Sequence, residues 1–203
     1  MSKVTGFVLH ARSQARADET KRNLPQAEAV VVGDLSTIAQ TRNVAEQVNA
    51  LGAFDAVIHN VAVGYKEPKR IETEDGLSHV FAVNTIAPYI LTALIAKPKR
   101  LVYISSMLHQ NGDPTLEDLA WKARAWDGEQ AYSDTKLHDV LPAFVSHDIG
   151  LESSRMHWSQ AGSRRRWVAP RQRMIWTKHI APRFGLLQAI NLRHSSLEST
   201  SIT

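Results

Sequence analysis

Apolar residues in this chain fall into short unbroken runs, separated by stretches in which they recur every three or four positions. KVTGFVLHAR (3–12) is the first run and predicts a short buried strand ending on a basic residue. SQARADETKRN (13–23) predicts a helix with Ser13 as its N-cap. AEAVVVGDLS (27–36) supplies a second strand, through Val30, Val31 and Val32, followed by a turn. In TIAQTRNVAEQVNALG (37–52), Ile38, Val44, Val48 and Leu51 share one helical face, and Gly52 closes the helix. FDAVIHNVAVG (54–64) is a third strand, GLSHVFAVNTIAPYILTALIA (76–96) a long apolar helix interrupted at Pro88, and KRLVYISS (99–106) a fourth strand. Residues 107–130 look like a loop with a short helical piece around LEDLAWKARAW, and YSDTKLHDVLPAFVSHDIG (132–150) is a helix kinked or ended near Pro142. Strands without polar alternation, alternating with amphipathic helices, indicate βαβ units and a parallel sheet covered on both faces. The expected fold class is α/β, a Rossmann-like doubly wound parallel sheet. In such sheets the site lies at the carboxyl ends of the strands. Here those ends carry Arg12, Asp34, His59, Asn60, Ser105 and Ser106.

Composition narrows the chemistry. The 203 residues, 43% of them hydrophobic, suit one substantial core. There are no cysteines, which removes disulfides, thiolate metal sites and cysteine nucleophiles. Nine histidines are present, but no His-x-x-x-His or His-Glu-x-x-His cluster, so no metal centre is expected. No apolar run approaches the roughly 18 residues of a membrane span, and the N-terminus lacks the pattern of a secretory signal, so a cytoplasmic protein is expected. The net charge of +4 hides an asymmetry: residues 1–152 carry 15 Lys/Arg against 19 Asp/Glu, whereas residues 153–203 carry nine Lys/Arg against the single acid Glu198. Two regions are therefore expected, a mildly acidic body (1–152) and a basic tail (153–203).

Five motifs in the body share order and spacing with one known family. GDLS (33–36), HNVAVG (59–64), VNTIAP (83–88), YISS (103–106) and the Tyr132-x-x-x-Lys136 pair of AYSDTK (131–136) together resemble the short-chain dehydrogenase/reductase family, from about residue 4 to about 152. The 26-residue separation of Ser106 from Tyr132 is similar to that of its retinol-dehydrogenase-like members. The resemblance implies an NAD(P)-dependent oxidoreductase that interconverts an alcohol and a carbonyl of a small-molecule substrate. It assigns catalysis to Tyr132, Lys136, Ser106 and Asn84. It assigns cofactor binding to Arg12, Asp34, Leu35, Asn60, Val61 and Ala62, together with Tyr132 and Lys136. Arg12 follows the strand beside which the adenosine ribose lies; an acid there suits the 2′-hydroxyl of NAD, whereas an arginine suits the 2′-phosphate of NADP. NADP is therefore the expected cofactor, with NAD as the alternative.

The residue types make chemical sense. Hydride transfer to a carbon must be matched by proton transfer at its oxygen, and a free tyrosine, titrating near ~10, is a poor base at neutral pH. A lysine one helical turn away lies on the same face, and its charge favours the phenolate. By resemblance Lys136 also holds the nicotinamide ribose, Ser106 binds the substrate oxygen, Asn84 anchors a water and Tyr132 is the acid/base. Other readings stand beside these. Tyr132 and Lys136 fit an ordinary helix surface, Asn84 and Asp34 fit helix caps, and Ser105 competes with Ser106. His59 is expected to be a packed strand-end residue. Trp121 and Trp126 either cover the substrate or pack the loop.

Two features depart from the family's pattern. Its cofactor site opens with a strand leading into a glycine-rich turn, whose N–H groups meet the pyrophosphate; this chain has ten glycines and no Gly-x-Gly. One strand and one helix of a βαβ unit are therefore expected to be absent from this sequence, and in the order 3-2-1-4-5-6 that strand is central. Its neighbours would face each other across ~9–10 Å and must close up, recruit another strand or fray. The tail, WSQAGSRRRWVAPRQRMIWTKHIAPRFG (158–185), shows no clear strand period and is expected to be solvated or disordered. With Trp167 and Trp176 it also offers a nucleic-acid patch, a reading disfavoured because no nucleic-acid module surrounds it. A catalytically impaired fragment that binds a nucleotide or a partner is the alternative function, and a homo-oligomer is allowed.

Overall fold

The valine-rich runs form strands, and the computed structural model, which describes residues 4–141 with 157–158, 174–177 and 192–193, joins them in one parallel sheet. In chain order the elements begin with β1 (Val4–Thr5), β2 (Phe7–Ala11), α1 (Gln14–Asn23), β3 (Ala29–Val32), α2 (Ile38–Ala50) and β4 (Ala56–His59). They continue with α3 (His79–Phe81), a π-helical turn (Ala82–Ile86), α4 (Ala87–Leu94), β5 (Arg100–Ser105), a 3₁₀ helix (Met107–Asn111) and α5 (Gly128–His138). Three short strands close the series: β6 (His157–Trp158), β7 (Met174–Thr177) and β8 (Leu192–Arg193). The strand order is β3-β2-β7-β4-β5-β6, with every pair parallel; β1 and β8 form a separate antiparallel pair.

The gap expected at the centre of the sheet is filled from the tail. β7 runs parallel to both neighbours, with Ile175 opposite Val8 of β2 and Val57 of β4, and Trp176 opposite Leu9 and Ile58. Of the three outcomes open to β2 and β4, recruitment of another strand is the one realised. The lack of strand period in the tail concealed this: Met174–Thr177 spans only four residues, too few for a period to register, although Ile, Trp and Thr favour extended backbone. Tail strands also pair with β5 and β1. Trp176 thus belongs to a sheet strand, whereas Trp167 and the SRRRW stretch lie outside the described residues.

On one face of the sheet, Val8, Val31, Val57, Leu101 and Tyr103 pack with Val44 and Val48 of α2 and Ala87 and Leu91 of α4, all nearly or fully buried. Each such aliphatic side chain contributes ~1.5–3 kcal/mol through lost apolar exposure, which makes this cluster the main driving force for the layer. Ser13 caps α1 as expected, and Thr37, not Asp34, caps α2. Ser13 Oγ accepts from the Arg16 N–H at 3.4 Å, and Thr37 Oγ1 from the Gln40 N–H at 3.3 Å. Gly52, at φ 93°, supplies the left-handed residue after α2.

Three expectations change in detail. Pro88 does not break the long helix. It has no N–H to offer the Asn84 carbonyl four residues back, and the backbone passes the defect as a π turn over Ala82–Ile86 before continuing as α4. The helical piece expected around residues 116–126 does not form, because Leu116, Asp118 and Trp121 take positive φ of 60°, 44° and 55°. The Asp118 carboxylate instead gathers the N–H groups of Lys122, Ala123 and Arg124 at 2.7–3.0 Å. Finally, α5 begins four residues before Tyr132, where Asp127 Oδ1 accepts from the Glu129 and Gln130 N–H groups. The expected kink near Pro142 falls outside the described residues.

Gly128, at the start of α5, lies flush against the loop after β4. A Cβ there would sit 2.3 Å from the Glu67 carbonyl oxygen and 2.8 Å from its nitrogen, both backbone atoms that cannot swing aside. Gly128→Ala is expected to destabilise the fold by ~1–3 kcal/mol. Urea unfolding of the variant measures this, and an unchanged midpoint would contradict the contact.

Candidate functional site

The site residues are placed by three elements: the carboxyl end of β5, the π turn, and α5. Tyr132 and Lys136 are one turn apart on α5. Tyr132 is half-buried, whereas the Lys136 side chain is only 3% exposed. The Lys136 ammonium lies 5.6 Å from the centre of the Tyr132 ring. It donates to the Ile104 carbonyl at 2.9 Å and to Asp139 Oδ2 at 2.7 Å, so two of its three protons are committed beneath the tyrosine. Burial pushes the Asp139 carboxyl up to about 6, against the pull of the Lys136 charge. Asp139 was not among the expected site residues. Its spacing of three from Lys136 was the available signal, but a charged pair at that spacing is ordinary on an exposed helix.

The two serines separate cleanly. Ser105 is buried and its hydroxyl donates to the Lys136 carbonyl at 2.7 Å, tying the end of β5 to α5. Ser106 is half-buried, and its Oγ caps the 3₁₀ helix by accepting from the Leu108 N–H at 3.3 Å. Of the two hydroxyls, Ser106 is the better placed to meet a ligand.

Asn84 is 1% exposed and fully engaged. Its Oδ1 accepts from the Val63 N–H at 2.9 Å; its Nδ2 donates to the Val63 carbonyl at 3.0 Å and to Thr135 Oγ1 at 3.1 Å. One side chain thus clamps the loop after β4 to α5, one residue before Lys136. The π turn sets the side chain there, since an extra residue in the turn changes the direction of every side chain beyond it. Thr135, the other end of this bridge, also went unread in the sequence.

At the carboxyl ends of β2 and β3 a cleft opens. It is lined by Leu9 to Arg12, Arg16, Thr20, Asp34, Leu35, Val61, Val63, His79 and Val83. Four of the expected cofactor residues, Arg12, Asp34, Leu35 and Val61, therefore come together. Asn60 and Ala62 flank the cleft without lining it. The Asp34 carboxylate accepts from the Ser36 N–H at 2.9 Å in the turn ahead of α2, while Thr37 caps that helix, so Asp34 lines the cleft and is not the cap. Val63 belongs to the cleft wall and is also the residue held by Asn84, which links the cleft to α5. The exposed Arg12 guanidinium stands beside an apolar slot of Leu35 and Val61. No glycine-rich cradle for a pyrophosphate is found among the described residues.

His59 fits the packing role. It is buried, stacks on Tyr103 with ring centres 4.9 Å apart and meets Thr92 Oγ1 at 3.0 Å; burial lowers its pKa to about 4. Trp121 and Trp126 pack edge to face, with the Arg124 guanidinium 3.6 Å above Trp121, and the Trp126 indole N–H donates to the Glu67 carbonyl at 2.8 Å. Loop packing is what these two rings do. No group of three or more His, Asp or Glu side chains suited to a metal occurs among the described residues.

No family model matches the chain. Individual proteins do. The chain is 50% identical over 138 residues to an uncharacterised oxidoreductase of Emericella nidulans, covering 67% of this chain and 51% of that relative. It is 44% identical over 136 residues to a short-chain dehydrogenase of Gibberella zeae, covering 66% and 52%. Retinol dehydrogenase 13 of Mus musculus is 31% identical over 115 residues, 53% of this chain and 34% of that protein. The chain thus spans about half the length of the fungal relatives. Among solved structures, a protein from Mycobacterium paratuberculosis superposes with a TM-score of 0.61 at 23% identity, covering 73% of this chain and 65% of that one. A metagenomic short-chain oxidoreductase in complex with NADP gives 0.54 at 21% identity, covering 77% and 70%. These structural likenesses agree with the Rossmann-like α/β fold described above. At 50% and 44% identity to the two fungal proteins, each match covering about two thirds of its own length, the chain belongs to the short-chain dehydrogenase/reductase family.

Proposed function

We propose that this protein is an NADP-preferring oxidoreductase that interconverts an alcohol and a carbonyl, with Tyr132 as the acid/base, Lys136, Ser106 and Asn84 as its partners, and residues 1–152 as the cofactor-binding body. The observation that carries this is the Lys136 ammonium buried beneath the Tyr132 ring, at 5.6 Å from its centre. The cofactor would lie with its adenosine in the cleft of Arg12, Asp34, Leu35 and Val61, and supplies the hydride when bound. Tyr132 gives its hydroxyl proton to the substrate oxygen as the carbonyl carbon is reduced, and takes one back in the alcohol direction. Ser106 donates to that same oxygen, and the Lys136 ammonium stands 5.6 Å from the centre of the ring that gives up the proton. Asn84 keeps the cleft wall and α5 in one frame. The NADP-bound solved neighbour supports the cofactor class, and the fungal relatives support the oxidoreductase class. No helix among the described residues is long and apolar enough to cross a membrane.

The test is oxidation of NADPH in the presence of a panel of aldehydes and ketones. Carbonyl-dependent turnover, faster with NADPH than with NADH, is expected. Arg12→Asp should lower the NADPH to NADH preference by about tenfold or more, because it replaces the cation that faces the 2′-phosphate with a like charge. A preference unaltered by that substitution would remove Arg12 from the cofactor site. A second reading, a nucleotide-binding module without turnover, is favoured by the absence of any Gly-x-Gly in the chain. It predicts an NADPH-induced rise in melting temperature with no carbonyl-dependent oxidation.

A further inference from the structure

The loop after β4 places a second tyrosine against the first. Tyr65 and Tyr132 meet edge to face, with ring centres 5.5 Å apart, yet Tyr65 remains 54% exposed. A lone exposed aromatic on a protein surface calls for no explanation. This one differs because the residues on either side of it are immobilised. Gly64 holds φ 86°, in a turn where its α-carbon lies so close to Val80 that a Cβ would come within 2.1 Å of Val80 Cγ2. The Glu67 N–H donates to the Gly64 carbonyl at 3.0 Å, and the Glu67 carboxylate meets His79 Nδ1 at 2.8 Å. The Glu67 carbonyl accepts from the Trp126 indole at 2.8 Å, and its backbone abuts Gly128. Lys66, between them, pairs with Glu129 of α5 at 3.4 Å and stands 5.2 Å from the Tyr65 ring centre. The loop is therefore clamped to the N-terminal half of α5, and the clamp fixes an aromatic ring beside the phenol with more than half its surface facing water.

We propose that Tyr65 is a specificity-determining residue, a fixed wall beside Tyr132 that selects carbonyl compounds bearing a flat aromatic or conjugated ring on the carbonyl carbon. The inference rests on the oxidoreductase reading and refines it. A carbonyl whose oxygen meets the Tyr132 hydroxyl brings its nearest substituent past the Tyr65 ring. An aromatic substituent buries apolar area there and gains an edge or stacking contact, whereas a short alkyl group gains little. Because Tyr65 is over half exposed and the clamp is built from its neighbours, removing its ring leaves the packing of the fold intact.

Steady-state reduction of acetophenone and of butanone by the full chain with NADPH, in the wild type and in Tyr65→Ala and Tyr65→Phe, tests this. Tyr65→Ala is expected to lower kcat/KM for acetophenone about five- to tenfold, mainly through KM, and to change butanone by less than twofold. Tyr65→Phe should restore the wild-type ratio, and the melting temperatures of all three proteins should agree. If Tyr65→Ala alters both ketones alike, or neither, the wall is wrong while the oxidoreductase reading stands. If the wild type reduces neither these nor any other carbonyl, the oxidoreductase reading is overturned, and this inference with it.

Discussion

Replacing Tyr132 by phenylalanine is expected to cut carbonyl-dependent NADPH oxidation by about 10²–10⁴-fold, with binding of NADPH unchanged within a few-fold. The reason is local. The substitution removes one oxygen, and with it the donor assigned to the substrate oxygen, but keeps the ring. That ring faces Tyr65 at 5.5 Å and the Lys136 ammonium at 5.6 Å, contacts that phenylalanine preserves. Stability should therefore hold while chemistry fails, a split that separates a catalytic hydroxyl from a packing one. Turnover by the phenylalanine variant within threefold of wild type would remove Tyr132 from the mechanism. Side-by-side kinetics and NADPH-dependent melting on the two proteins decide the matter.

The second large effect concerns acid. His59 is fully buried and its pKa is lowered from 6.5 to about 4, because burial penalises the imidazolium. Its contribution to stability is complete above pH 6.5 and is lost as pH falls towards 4, since the unfolded chain then binds a proton that the fold refuses. Asp139 has the opposite sign. Its carboxyl, raised from 3.8 to about 6 chiefly by burial, keeps a proton in the fold that the unfolded chain has given up. That contribution is complete below about pH 4 and is lost as pH rises through 6. Each swing is on the order of 3 kcal/mol, at 1.36 kcal/mol for each pKa unit. Between pH 4 and 6.5 the two slopes oppose each other, and burial lowers His138 in the same sense as His59. With two histidines against one carboxyl, wild-type stability is expected to fall modestly from pH 6.5 to 4. Asp139→Asn should steepen that fall by about 3 kcal/mol, and His59→Gln should flatten or reverse it. Urea unfolding of the three proteins at half-unit intervals measures the slopes, and parallel curves for wild type and Asp139→Asn would overturn the account.

Much of this molecule was written in local pattern. The strands at Phe7–Ala11, Ala29–Val32, Ala56–His59 and Arg100–Ser105 fall within the apolar runs, and Ser13 and Gly52 delimit helices as a capping side chain or the lack of one requires. The cleft residues Arg12 and Asp34 were legible too, because strand ends of a parallel sheet converge on one edge, whereas Leu35 and Val61 were implied only by the family resemblance. These features depend on neighbours in sequence, or on a rule of topology, and one chain suffices to show them.

What the sequence did not disclose depends on distance. The four residues Met174–Thr177 carry no period of their own, and their place between β2 and β4 is fixed by two partner strands more than a hundred residues upstream. The left-handed turns at Leu116, Asp118 and Trp121 override a helical pattern because the Asp118 carboxylate offers the backbone N–H groups another acceptor. Asp139 and Tyr65 look ordinary in the sequence, and only packing shows one beneath Lys136 and the other against Tyr132. Sequence alone determined which residue types could handle a hydride acceptor and a proton. Tertiary structure decided which of them touch, because burial, partner and direction are set by chain segments that local propensity cannot see.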